Sequence, residues 1–255
     1  ARKLGLVCEI QLENRVQGMP AGQEKTGNML LDRILGVPIH MFPVGEDEQA
    51  ADDNLEKIAD GIRARGGKPY VIHLGADHPP LGALGYVDCA REIIEQTEAL
   101  GVPLGTVVVA SGSAASHAGV VTGLRHYGSD ATVHGICVRR TADLQHPRVL
   151  KRSRDLAAML GTPDLVRETD VITTDDYLGE GYGKPTPGTM AAIERGAHAE
   201  TLLLDPVYSG KAFDGFLSLL DNGALPADKA CVFIHTGGTP GLFAYAHLWE
   251  PARAS

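Results

Sequence analysis

Thr106-Val107-Val108-Val109-Ala110 runs straight into Ser111-Gly112-Ser113-Ala114-Ala115-Ser116-His117-Ala118-Gly119, and the chemistry such a join can do is anion binding. A run of β-branched residues suits a strand covered on both faces. The small, apolar residues from Ala118 to Leu124 suit a helix packed closely on a sheet. Between them lies a loop with three serine hydroxyls, backbone N–H groups that no bulky side chain shields, and the positive end of a helix dipole. A phosphate dianion fits there. An ordinary strand-to-helix turn built from small residues has the same local look, because serine is common at helix N-termini, so the rest of the chain has to decide.

The elements that would position this loop alternate. Strand patterns fall at 7–12, 70–73, 106–110, 132–139, 201–204 and 231–235, and helical patterns at 26–35, 48–65, 86–100, 148–160, 186–196 and 210–222, with short polar turns around Asp175-Asp176. Such alternation predicts an α/β fold with mostly parallel sheets. Besides 111–116, three loops directly after strands carry unusual residues: 75–82, 205–210 and 235–241. In an open α/β sheet these loops line the ligand crevice. Each has a plainer reading as well: Asp205-Pro206 as a turn start, Tyr208 as a packed aromatic, Gly237-Gly238 as backbone punctuation.

The 255 residues suffice for one large domain or two unequal ones. A formal charge of −9, with basic residues only in short groups such as Arg139-Arg140 and 151–154, argues against a nucleic-acid partner. No apolar run is long enough for a bilayer and no signal segment opens the chain, so the expectation is a soluble, cytoplasmic protein without membrane association. The four cysteines, Cys8, Cys89, Cys137 and Cys231, stand singly and read as buried reduced thiols rather than disulfides or zinc ligands. The ten histidines form no close pairs, and no metal site is expected.

Several blocks together are distinctive: Leu84-Gly85-Tyr86-Val87, Val108-Val109-Ala110-Ser111-Gly112-Ser113, Gly181-Tyr182-Gly183, Leu204-Asp205-Pro206-Val207-Tyr208-Ser209-Gly210-Lys211-Ala212 and Phe233-Ile234-His235-Thr236-Gly237-Gly238. They resemble the D-cysteine desulfhydrase and L-cysteate sulfo-lyase group of the aminocyclopropanecarboxylate deaminase family, fold-type II enzymes that use pyridoxal 5'-phosphate (PLP). The resemblance implies two open, mostly parallel sheets flanked by helices, with the remainder of a smaller domain at 1–85 and a larger PLP-binding domain at 86–255. It implies a phosphate grip made by Ser111, Gly112, Ser113, Ala114, Ala115 and Ser116. Thr236, with Gly237 beside it, would meet the pyridine nitrogen, and Tyr182 and Tyr208 would face substrate and ring as catalytic residues. A neutral hydroxyl at that nitrogen leaves the ring less electron-withdrawing than a carboxylate would, favouring loss of a β leaving group. The implied substrate is a cysteine-like amino acid and the implied assembly a homodimer.

The chain departs from the family pattern in informative ways. The family's Gly-Gly-Asn-Lys motif with the Schiff-base lysine, and its Ser-Asn-His segment, match nothing here; none of the eight lysines, Lys3, Lys25, Lys57, Lys68, Lys151, Lys184, Lys211 and Lys229, has that context. Residues 1–5 read as a last helical turn closed by glycine, so the expectation is a chain that starts inside a domain, with the lysine upstream and 1–255 alone inactive. Gly75-Ala76-Asp77-His78-Pro79-Pro80 stands where relatives have Gly-Gly-Ser-Asn, which makes His78 a candidate for sulfonate preference or simply a surface histidine. Ala115 replaces a glycine, so its φ must suit alanine. Three other readings compete: a cyclopropane amino-acid deaminase, a non-catalytic PLP-binding relative, and a hydrolase using Ser113, Asp205 and His235. The hydrolase elbow would need glycines where Ser111 and Ala115 stand.

Overall fold

A computed structural model describes residues 1–16, 18–19, 22 and 25–249. Along the chain come β1 (Ile10–Glu13), α1 (Gly27–Ile34), β2 (Ile39–Phe42), α2 (Glu48–Ala64), α3 (Leu84–Ala99), β3 (Leu104–Ser111) and α4 (Ala115–His126). There follow β4 (Thr132–Cys137), α5 (Ala142–Met159), β5 (Ile172–Thr174), α6 (Pro187–Glu200), α7 (Ser209–Asp221), β6 (Ala230–Phe233) and α8 (Thr239–Ala244). Among the described residues no helix is long and apolar enough to cross a membrane.

The residues pack as two units, Ala1–His78 with the segment from Pro240 onward, and Pro79–Thr239. The expected division at 85/86 therefore differs at both ends. Residues 79–85 pack with the larger unit because Ala83 is fully buried there and its carbonyl lies against Gly119 of α4. The C-terminal segment returns to the smaller unit, where Pro240 and Ala244 close on Gly27; residues 250–255 of the expected larger domain lie outside the described ones. In the smaller unit β1 and β2 form a parallel pair, Ile10 opposite Ile39.

In the larger unit the sheet is wholly parallel, in the order β5-β4-β3-β6. β3 is central and covered on both faces, as its β-branched run predicts: Val107, Val108 and Val109 are fully buried. Period-two alternation sends Val107 and Val109 into the core formed with α3, α4 and α5, and Val108 into a second core with Ile136 and Ala212, closed by Phe216 and Phe233. α4 meets its neighbours at glycine contacts: a Cβ at Gly123 would lie 2.6 Å from Ala90 Cβ and 2.7 Å from the Val87 carbonyl oxygen. On its sheet side, fully buried His117 lies where Gly135 of β4 has no side chain; a Cβ there would run into the ring.

Two expected strands are absent from the ladders. Residues 70–73 are extended without strand pairing, with Tyr70 and Ile72 exposed. At 201–204 the Leu203 carbonyl accepts from His235 Nε2 (3.3 Å) and Thr239 Oγ1 (3.1 Å) instead of a neighbouring strand. Conversely, β2 and three-residue β5 are too short to announce themselves in sequence. α5 begins before Pro147, not after it, and Ala142 N at its start donates to Asp175 Oδ2 (2.8 Å).

Burial, with His134 and His146 nearby, holds the His117 imidazole neutral, pushing its pKa from 6.5 down to about 3. On unfolding it takes up a proton anywhere between those values, so the stability it contributes is present above 6.5 and lost as pH falls toward 3. We expect denaturant unfolding followed across that range to show a steep acid limb that is shallower in His117→Gln; parallel limbs would contradict this. For Gly123→Ala, helix propensity offers about 1 kcal/mol, but overpacking against an immobile carbonyl costs about 1–3 kcal/mol. The urea midpoint should fall.

Candidate active site

β3 hands over to α4 at Ser111, whose hydroxyl is fully buried and held between Gln145 Nε2 (2.9 Å), which donates to it, and His117 Nδ1 (3.1 Å). A neutral imidazole can accept the serine proton. The carbonyls that follow are also tied back: Gly112 O accepts from Gln145 (3.2 Å) and Arg140 (3.2 Å), and Ser113 O from Arg148 Nε (3.4 Å). In a trans peptide, C=O and the next N–H point opposite ways. Anchoring these carbonyls therefore turns the N–H groups of Ser113 and Ala114 away from the anchors. Neither these nor the Ser116 N–H has a protein acceptor among the described residues.

Ala114 then takes the left-handed conformation, φ 75° and ψ −14°, and α4 begins at Ala115. Ala115 thus has a helical backbone that suits alanine, as expected, and the left-handed residue of the loop is Ala114. A left-handed alanine costs about 1–2 kcal/mol. It makes the concave turn of successive N–H groups that receives anions, with the α4 dipole behind it.

The loop forms one wall of a pocket of about 280 Å³ lined also by Tyr86, Ala110, Tyr208, Thr236, Gly237 and Gly238. Of the residues expected from sequence, Gly112, Ser113, Ala114, Ser116, Tyr208, Thr236 and Gly237 line it. Ser111 does not, because its hydroxyl serves as the anchor; Ala115 lies outside the lining as the first helical residue. Tyr182 is not in the lining either, but its hydroxyl bonds that of Tyr208, with the rings edge to face at 5.6 Å. Tyr86, Ala110 and Gly238 were not expected as site residues, although all three stand in the blocks that carry the resemblance.

Tyr208 owes its place to Asp205. That buried carboxylate accepts from the N–H groups of Val207 (2.8 Å), Tyr208 (2.9 Å) and Ser209 (2.9 Å) and from Ser209 Oγ (2.6 Å), fixing the start of α7. Gly238, at φ 96°, passes so close that a Cβ would strike the carboxylate. Tyr208 Cε1 in turn lies 3.5 Å from a Cβ built on Gly112, so phenol and anion loop adjoin. The hydrolase reading fails on the same facts: Asp205 is committed to backbone, His235 bonds the Leu203 carbonyl, and Ser113 Oγ accepts from Ala115 N (3.4 Å).

His78 stands in the smaller unit, stacked on His73 at 3.8 Å and paired with Asp52 (3.4 Å), which also accepts from Gly75 N (3.1 Å). These contacts give it a structural task in closing that loop. Among the described residues no cluster of three or more His, Cys, Asp or Glu side chains is arranged to hold a metal.

The pocket fits a phosphorylated pyridine. It has orphaned N–H donors and the Ser116 hydroxyl for the phosphate, and a Thr236 hydroxyl that makes no protein hydrogen bond among the described residues for the ring. No lysine lines it.

A family model for "pyridoxal-phosphate dependent enzyme" matches residues 1–237. D-cysteine desulfhydrases of Salmonella typhi and Salmonella enteritidis are each 40% identical over 245 residues, 96% of this chain and 72% of theirs. A crystal structure of an ACC deaminase homologue superposes with a TM-score of 0.83 at 35% identity, over 97% of this chain and 71% of that one. A hydrogen sulfide-producing enzyme of Fusobacterium nucleatum, 12% identical, superposes with a TM-score of 0.58 over 94% of this chain and 72% of that one, and shows the shared fold alone. The α/β architecture with parallel sheets, the loop at the end of β3 and these matches agree: the chain belongs to the pyridoxal-phosphate dependent enzymes of fold-type II.

Proposed function

We propose that the protein carrying this chain is a carbon–sulfur lyase that eliminates the β-sulfur group of a cysteine-like amino acid, D-cysteine or L-cysteate. With water, the products are pyruvate, ammonia and sulfide or sulfite. The observation that carries this reading is the paired hydroxyls of Tyr182 and Tyr208 set beside the anion loop; the likeness to D-cysteine desulfhydrases supports the substrate class. A cytoplasmic homodimer belongs to the same reading, on the resemblance alone.

In this reading the N–H groups of Ser113, Ala114 and Ser116, with the Ser116 hydroxyl, hold the phosphate, and Thr236 offers its hydroxyl to the pyridine nitrogen. When bound, PLP supplies an electron sink for the negative charge that develops at the substrate's Cα. Thr236, being neutral, does not fix a proton on the ring nitrogen as a carboxylate would. Tyr208 and Tyr182 form a donor–acceptor pair in which either oxygen can donate. Such a pair can pass a proton toward the departing sulfur while the second phenol stabilises the oxygen that gave it up. Asp205 holds Tyr208 in place for that transfer.

Incubating the PLP-loaded protein with D-cysteine, L-cysteate and the cyclopropane amino acid tests the reading. Pyruvate with stoichiometric sulfide or sulfite is expected; ammonia from the cyclopropane substrate alone, or no product from any of the three, would overturn it. In Tyr208→Phe, turnover should fall about a hundredfold or more while PLP affinity changes little.

A further inference from the structure

Lys211 is the largest fully buried side chain among the described residues. It sits on the first turn of α7, three residues after Tyr208, and its aliphatic stem carries the amine away from solvent to the turn that contains Tyr182. There Nζ donates to the Leu178 carbonyl (2.6 Å) and the Gly181 carbonyl (2.7 Å). No carboxylate pairs with it among the described residues. A buried ammonium with only neutral acceptors is costly, and burial accordingly pushes its pKa from 10.5 down to about 8, which still leaves the ammonium as the main form at neutral pH. The amine does not line the pocket, and as an ammonium donating to two carbonyls it has no lone pair to offer as a nucleophile.

The turn it holds is built on glycine. Gly179, Gly181 and Gly183 have φ of 61°, 126° and 71°, and two of its backbone bonds, Gly181 N to Leu178 O and Lys184 N to Gly181 O, are long at 3.3 Å. Three glycines in five residues give a segment with high conformational entropy when unrestrained. Yet Tyr182, in the middle of it, has its hydroxyl against that of Tyr208. Tyr208 is fixed by Asp205, so the register of the phenol pair depends on how the 178–184 turn is fastened to α7.

We propose that Lys211 is a positioning residue that sets Tyr182 against Tyr208 by bridging the Leu178 and Gly181 carbonyls to α7. The part of this concerning turnover rests on the lyase reading; the part concerning the turn does not. The lysine gives the fastening its reach, from one helix to both carbonyls of a glycine turn, and its charge strengthens both hydrogen bonds.

The test compares the PLP-loaded protein with Lys211→Met, which keeps the buried stem and removes the donors, in wild-type and Tyr182→Phe backgrounds. Amide hydrogen exchange should accelerate more than about tenfold at Gly181 and Lys184, as local opening becomes easier, with the rest of α7 unchanged. Misplacing a catalytic group costs up to about a hundredfold in rate, so kcat should fall ten- to about a hundredfold with KM and PLP affinity within about twofold. In the Tyr182→Phe background the same substitution should add almost nothing. Gly181→Ala, strained at φ 126° but facing open space, displaces one of the two carbonyls that Lys211 holds and should reproduce both effects; if Lys211→Met does not fold, Lys211→Gln, which keeps a donor of shorter reach, is compared in the same two backgrounds, and its kcat loss should likewise disappear with Tyr182→Phe. Unchanged exchange over 178–184, or equal losses of kcat with and without Tyr182, would overturn the proposal. If the wild-type protein releases no sulfur product, the lyase reading fails, and exchange alone still decides whether Lys211 fastens the turn.

Discussion

With its hydroxyl buried between His117 and Gln145, Ser111 fixes where β3 stops, and the chain from there to α4 has little choice. The Gly112 and Ser113 carbonyls are drawn toward Gln145, Arg140 and Arg148, the following N–H groups turn the other way, and Ala114 accepts a left-handed backbone to reach the helix. Backbone N–H groups presented in this way can receive an anion with no lysine or arginine in the wall. The arrangement needs a buried polar network behind it that is costly to disturb.

That network is in turn possible because of what is missing around it. Gly135 has no side chain where the His117 ring lies, and Gly119 and Gly123 let α3 approach α4 closely. Gly238 passes over the Asp205 carboxylate on the other side of the pocket. Each of these glycines serves a close approach, and together they allow a strand, two helix starts and a glycine loop to present backbone rather than side chains to a ligand. The two aromatic hydroxyls are then added from separate elements: Tyr208 by a capped helix start, Tyr182 by a turn fastened from that same helix.

The sequence was legible where local pattern and tertiary need coincide. The valines of β3 and the small residues of α4 announce strand and helix, and most of the loop residues named between them line the pocket. It was misleading where apolar runs such as 70–73 and 201–204 read as strands, because strand pairing depends on a neighbour that local sequence does not reveal. Ser111 has the look of a phosphate-binding residue in sequence, yet its hydroxyl bonds His117 and Gln145, six and 34 residues away, and it is their position that turns it to the core. Lys211 stands in a recognisable block, but the two carbonyls around its amine belong to residues some 30 positions earlier, which no local pattern connects to it.

The central claim, that backbone N–H groups at the end of β3 grip the phosphate of the cofactor, is tested most directly by equilibrium titration of the protein with PLP and with pyridoxal, which lacks the phosphate. Two or more charge-assisted hydrogen bonds predict that PLP binds about a hundredfold tighter or more. Equal affinity for the two would contradict the account.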